Sequence, residues 1–188
     1  MRKFSIPFLV LVLVLMTGCG GVASLHPLAM SNEKVAVFDP ALLGTWTGGD
    51  PDSDGAKERY VVTRTESGYL VTADSPDQKA PTQLPTQLFK VGDRYLLDID
   101  YPSDGPPAPV HVFFKLRLDN DTAWLAEMDS DWLVKQIKAR DLPRHAVLAE
   151  DHDRIVLTAS PSELRNCLLP YVADDRSFGE ETELRRIK

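Results

Sequence analysis

From Leu43 onward the chain breaks into short runs of β-branched and aromatic residues, each bounded by turn residues. Arg59 to Thr65 and Tyr69 to Ala73 flank Glu66-Ser67-Gly68, the composition of a tight hairpin. A proline-rich loop (Pro76, Pro81, Pro85) follows, and Gln87 to Val91 then pairs with Arg94 to Tyr101 across Gly92-Asp93. In the second of these runs Tyr95, Leu97 and Ile99 alternate with Leu96, Asp98 and Asp100, the period of a strand with two different faces. Asp104-Gly105-Pro106-Pro107 opens a further pair, Val110 to Leu118 and Ala123 to Met128, joined by Asp119-Asn120-Asp121. Gly44 to Thr47 begins the series and Glu183 to Ile187 is expected to close it. Strands linked at hairpin distances predict an antiparallel meander.

The period changes twice late in the chain. Ser130 opens a helical stretch with Asp131 in its first turn and Trp132, Leu133, Gln136 and Ile137 on one face. Ser160 is placed to cap a second, with Pro161 in the first turn and Glu163 completing a capping box, and Leu164, Cys167, Leu168 and Tyr171 on one side. Arg154 to Ala159 between them reads as a strand. The predicted fold is mainly β with two short helices, a meander closing into a complete or partly open barrel.

The N-terminus has a different character. Arg2 and Lys3 precede an apolar run from Phe4 to Met16, too short for a membrane-spanning helix and the length of a signal-peptide core. Met16-Thr17-Gly18-Cys19 resembles the bacterial lipobox, although Met16 stands where that motif usually has Leu. The resemblance implies removal of residues 1–18 and acylation of Cys19, with more than one chain on the cysteine and therefore stable membrane anchoring. Gly20, rather than Asp, after the cysteine implies the outer membrane, facing the periplasm. Gly20, Gly21, Pro27, Asn32 and Pro40 interrupt any pattern, so residues 19–40 are expected to be a flexible tether and 41–188 a single domain.

Gly44-Thr45-Trp46 resembles the first strand of lipocalin-type barrels, where the indole plugs the closed end. Val110 to Lys115, Trp124-Leu125-Ala126 and Asp131-Trp132-Leu133 are also similar to a group of uncharacterised bacterial proteins, many of them lipoproteins. Two helices before the last strand depart from the lipocalin pattern, which has one long helix after it. The resemblance implies a cavity for a small apolar or amphiphilic ligand, and inward positions expected to line it are Phe89, Leu97, Phe113 and Trp124.

Charge and polar chemistry narrow the remaining classes. Net charge is −7, and nearer −9 once Arg2 and Lys3 are removed, which opposes binding to nucleic-acid phosphates. Asp50-x-Asp52-x-Asp54-Gly55 matches the first half of a calcium loop, but its twelfth position is Val61, so the bidentate carboxylate is missing. Glu150-Asp151-His152-Asp153 and His145 lack metal-ligand spacing, and no Gly-x-Ser-x-Gly elbow is present. His111, in an apolar strand, reads as a core or barrel-lining residue, and Cys167 as a buried, inert thiol. No catalytic residue, metal or cofactor is predicted. The expected partners are the membrane, through the acyl chains, and either a small apolar ligand or an envelope protein bound by surface contact.

Overall fold

The alternating runs close into a barrel in the computed structural model, which describes residues 22–48, 58–76, 78–102, 110–139, 144–147 and 155–187. In chain order the strands are β1 (Ala23–Ser24), β2 (Gly44–Gly48), β3 (Arg59–Arg64), β4 (Tyr69–Asp74), β5 (Thr82–Val91), β6 (Arg94–Tyr101), β7 (Val110–Asp119), β8 (Thr122–Glu127), β9 (His145–Val147), β10 (Ile155–Leu157) and β11 (Thr182–Ile187). The helices are α1 (Ser130–Ala139) and α2 (Pro161–Leu168). Strands β2 to β8 form the meander; β11 bridges β8 to β2, and β6 pairs with β7, so eight antiparallel strands make a closed ring. Closure leaves none of the eight as a free edge.

Register decides which side chains share the interior. Leu88 faces Leu97, Leu97 faces Phe114, Leu116 faces Leu125 and Trp46 faces Tyr60, and each pair lies on the inward side. The intervening residues point outward, and from β5 to β8 many of these are also apolar: Phe89, Leu96, Phe113 and Ala126. A second layer covers this half of the wall. It comprises β1, β9 and β10, which extend the sheet from the β8-side edge of β7, together with α1, α2 and the segments around them.

Both helices begin as their sequences require. Asp129 accepts the Trp132 N–H at 2.8 Å and caps α1. Ser160 and Glu163 form the capping box of α2, and those hydrogen bonds hold the Glu163 carboxyl below the usual range.

Two expectations are corrected. Pro85 belongs to β5, paired with Leu70 of β4, rather than to a loop. It is tolerated because β6 pairs with β5 only from Thr86 onward, leaving the strand's other edge open at Pro85. The tether expected over residues 19–40 is also not free in its described part. Ala23 and Ser24 pair with β7 and β10, and Val22, Leu28 and Ala29 are buried in the outer layer. The Leu28 N–H donates to Asp98 Oδ2 at 2.5 Å, Arg165 pairs with Glu33 at 2.9 Å, and Val37 bridges to Leu88. Residues 22–39 thus form a strap fastened across the outer wall, and the folded unit begins by Val22. Local pattern hid this: the apolar residues of 22–39 follow no regular period, and the fastening partners lie far away in sequence.

Candidate functional site

One end of the barrel is closed by the chain that leads into it. Asp39 caps a 3₁₀ turn at Pro40–Leu42, and its backbone and carboxylate are held by the hydroxyls of Tyr69 and Tyr95. Trp46 lies beneath, 2 % exposed, with its Nε1–H donating to the Leu42 carbonyl at 2.9 Å. The Arg186 guanidinium sits 4.2 Å over the indole and donates to the carbonyls of Ala41 and Leu43. Gly44 is required by its φ of +124°; a Cβ there would also lie 2.7 Å from Arg186 Nη1, which would have to shift. Trp46 is thus packed against the turn that leads into its own strand.

Above the indole is a cavity of about 110 Å³, lined by residues including Trp46, Leu84, Leu97, Phe114, Leu125 and Leu184. Three of the hydroxyls in its wall are already engaged. The Thr86 hydroxyl donates to the Leu84 carbonyl at 3.0 Å, Tyr69 serves Asp39, and Tyr60 donates to Glu58. Burial, with the Glu58 hydrogen bond second, pushes the Tyr60 phenol well above its ordinary pKa, and burial raises Tyr101 also. The space is accordingly apolar in character. Beyond Leu125 on the same face of β8, Glu127 is opposite Phe114, its Oε1 buried without a hydrogen-bond partner among the described residues and its carboxyl pKa raised by burial.

Of the four residues expected to line a cavity, Leu97 does. Phe89 and Phe113 are on the opposite face of their strands, buried in the outer layer. Trp124 points outward, half-buried, with the Arg117 guanidinium 3.6 Å from its ring centroid. The error is one of parity. A strand covered on both sides is apolar on both sides, so hydrophobicity alone does not say which residue faces in. A signal was present in β7: His111, Phe113, Lys115 and Arg117 share one face, whereas Val112, Phe114, Leu116 and Leu118 share a wholly apolar one.

A second concavity, about 380 Å³, lies outside the barrel between the strap and β4 to β7, bordered by Met30, Ser67, Gln87, Asp98, Asp100 and His111. His111 is thus outward-facing, not barrel-lining. Its Nδ1 lies 2.8 Å from Asp98 Oδ1, while the other carboxylate oxygen holds Leu28. Asp98 is 2 % exposed, so this pair is a buried clasp for the strap.

Cys167 is half-buried on α2 and its thiol pKa is raised by burial, opposite to what a reactive thiolate needs. His145 is exposed in β9. Cys19, the calcium-like run at 50–55 and the cluster at 150–153 lie outside the described residues. Among the described residues no group of three or more His, Cys, Asp or Glu could hold a metal ion, and no helix is long and apolar enough to cross a membrane.

These features define a class, a mainly β protein with a closed, lipocalin-like eight-stranded barrel and one covered wall. No protein-family model, curated protein or solved structure matches the chain.

Proposed function

We propose that the protein is a non-enzymatic binding module of the bacterial cell envelope, anchored through acyl chains on Cys19, whose barrel takes a small apolar or amphiphilic ligand. The anchor rests on the charged start, apolar run and lipobox-like Met16 to Cys19, and the outer-membrane, periplasm-facing position on Gly20. The observation that carries the binding reading is the apolar cavity of about 110 Å³ inside an otherwise filled barrel. A dry cavity of ~150 Å³ is known to admit benzene, so this one suits a single ring or the end of a short chain rather than a whole lipid.

The test is titration of the full chain with toluene, read by Trp46 emission in a background where Trp124 and Trp132 are Phe. A saturable shift, lost when Ala123 in the cavity wall is enlarged to Leu, is the expected result. A linear response, or one indifferent to Ala123→Leu, would reject the site. Mass spectrometry of the mature N-terminus tests the anchor separately.

A further inference from the structure

Among the described residues five large hydrophobic side chains are exposed, and four of them, Leu25, Met30, Val35 and Phe38, lie on the strap; the fifth is Ile187. Phe38 is occupied, stacked on Tyr69 and covered by Arg64 at 4.2 Å. Leu25, Met30 and Val35 are left, 39 to 51 % exposed, in the stretch that follows the anchor in sequence. The strap cannot carry them away from the body, because the β1 ladder, the Asp98 clasp and the Arg165–Glu33 pair hold it.

The chain length between anchor and fold supplies the rest. Three peptide steps separate Cys19 from Val22, a reach of at most about 11 Å. The headgroup layer on each side of a bilayer is itself roughly 5 to 8 Å thick. An acylated Cys19 sits at the bottom of that layer, so Val22 and β1 have almost no room to stand off from it. A protein on a 20-residue tether would be free to tumble above the membrane; one whose fold starts three residues after the anchor is not.

We propose that the strap side of the molecule, around β1, Leu25 and Met30, is a docking surface for the phospholipid bilayer that receives the anchor. This rests on the reading of Cys19 as acylated. The occupant is lipid because the anchor's reach brings this side to the headgroups whatever else is present. An overall charge near −9 after processing gives no attraction to anionic lipid, so the contact is apolar and insensitive to salt. The barrel is then held with the Arg59 end of β3, four strands from β7 in either direction around the ring, away from the membrane, while its Arg64 end meets the strap at Phe38.

The experiment uses the full, processed chain with Cys167→Ser, carrying an environment-sensitive NBD label on Cys at position 25, 30 or 59, in neutral phosphatidylcholine vesicles. Arg59 is an exposed residue at the end of β3 away from the strap and serves as the distant control. Quenching by aqueous dithionite is expected to be about an order of magnitude slower at 25 and 30 than at 59. Inserting 20 Gly/Ser residues between Gly21 and Val22 should restore fast quenching at both. Equal quenching at all three positions on acylated, vesicle-bound protein would overturn the docking surface and leave the anchor standing. Protection in native membranes but not in pure lipid would overturn it in favour of a protein partner. An unmodified Cys19 by mass spectrometry would reject the anchor, and the docking surface with it.

Discussion

The two sides of the β5–β8 wall are built from the same residue types yet are sealed to different degrees. On the outer side, fourteen of the fifteen core residues are no more than 2 % exposed; inside the barrel this holds for five of fourteen. The outer layer is closed by two helices and the strap, each adjustable independently until contacts are full. The barrel interior has no such freedom, since strand number and stagger set its width and side chains must fill what remains. Here they leave about 110 Å³. Rigidity in this molecule comes from outside the barrel and space from inside it, an arrangement suited to keeping a cavity open.

Phe113 and Phe114 put this difference on adjacent residues, 0 % and 6 % exposed and facing opposite cores. Phe113→Ala should cost about 4 kcal/mol in urea denaturation, the middle of the range for aromatic truncation in a filled core. Phe114→Ala should cost about 1 kcal/mol less, and it should enlarge the cavity enough to admit a ligand bigger than toluene, measured by calorimetric titration. Equal losses, or altered binding in Phe113→Ala, would break the distinction between a structural outer core and a receptive inner one.

The clasp is the next largest test of the outer layer. Asp98→Ala leaves the Leu28 N–H and His111 Nδ1 without their buried partner. Stability should fall by roughly 2 to 3 kcal/mol. Amide exchange should accelerate selectively over residues 22–30, while toluene binding is retained. If exchange stays slow there, β1 and the Arg165–Glu33 pair suffice to hold the strap.

These same residues show what was legible in the sequence. The strands of the hairpins, both helices, the capping box and the Gly44-x-Trp46 plug follow from local pattern, because each depends on neighbours a few positions away. The strap did not, because Leu28 is held by Asp98, Arg165 and the outer core, 70 to 137 residues distant. The cavity residues were missed for a related reason. Phe89, Phe113 and Trp124 were assigned inward on hydrophobicity, and the layer that makes an outward phenylalanine stable is itself a long-range feature. Lys115 illustrates the cue that remained: a lysine on the Phe113 face, 8 % exposed, reaches Asp175 at 3.0 Å and so marks that face as the outer one.

The smallest expected effect concerns the barrel's inner face at its far end. Glu127 shares the Phe114 side of β8, and burial holds its carboxyl above the ordinary range. A raised folded-state pKa means that folding opposes ionisation. The penalty is therefore absent below the unfolded-state value, near pH 4, and grows as pH rises from there through the folded-state value. Glu127→Gln keeps the shape and removes the charge, so it should stabilise the protein by roughly 1 kcal/mol at neutral pH and have no effect near the bottom of that window. The measurement is a pair of urea curves, one on each side of the transition. A gain of the same size at both pH values would mean that the benefit is packing and not relief of a buried charge. No gain at either would mean that water reaches the carboxylate, and that this end of the barrel is open enough to serve as the ligand's entrance.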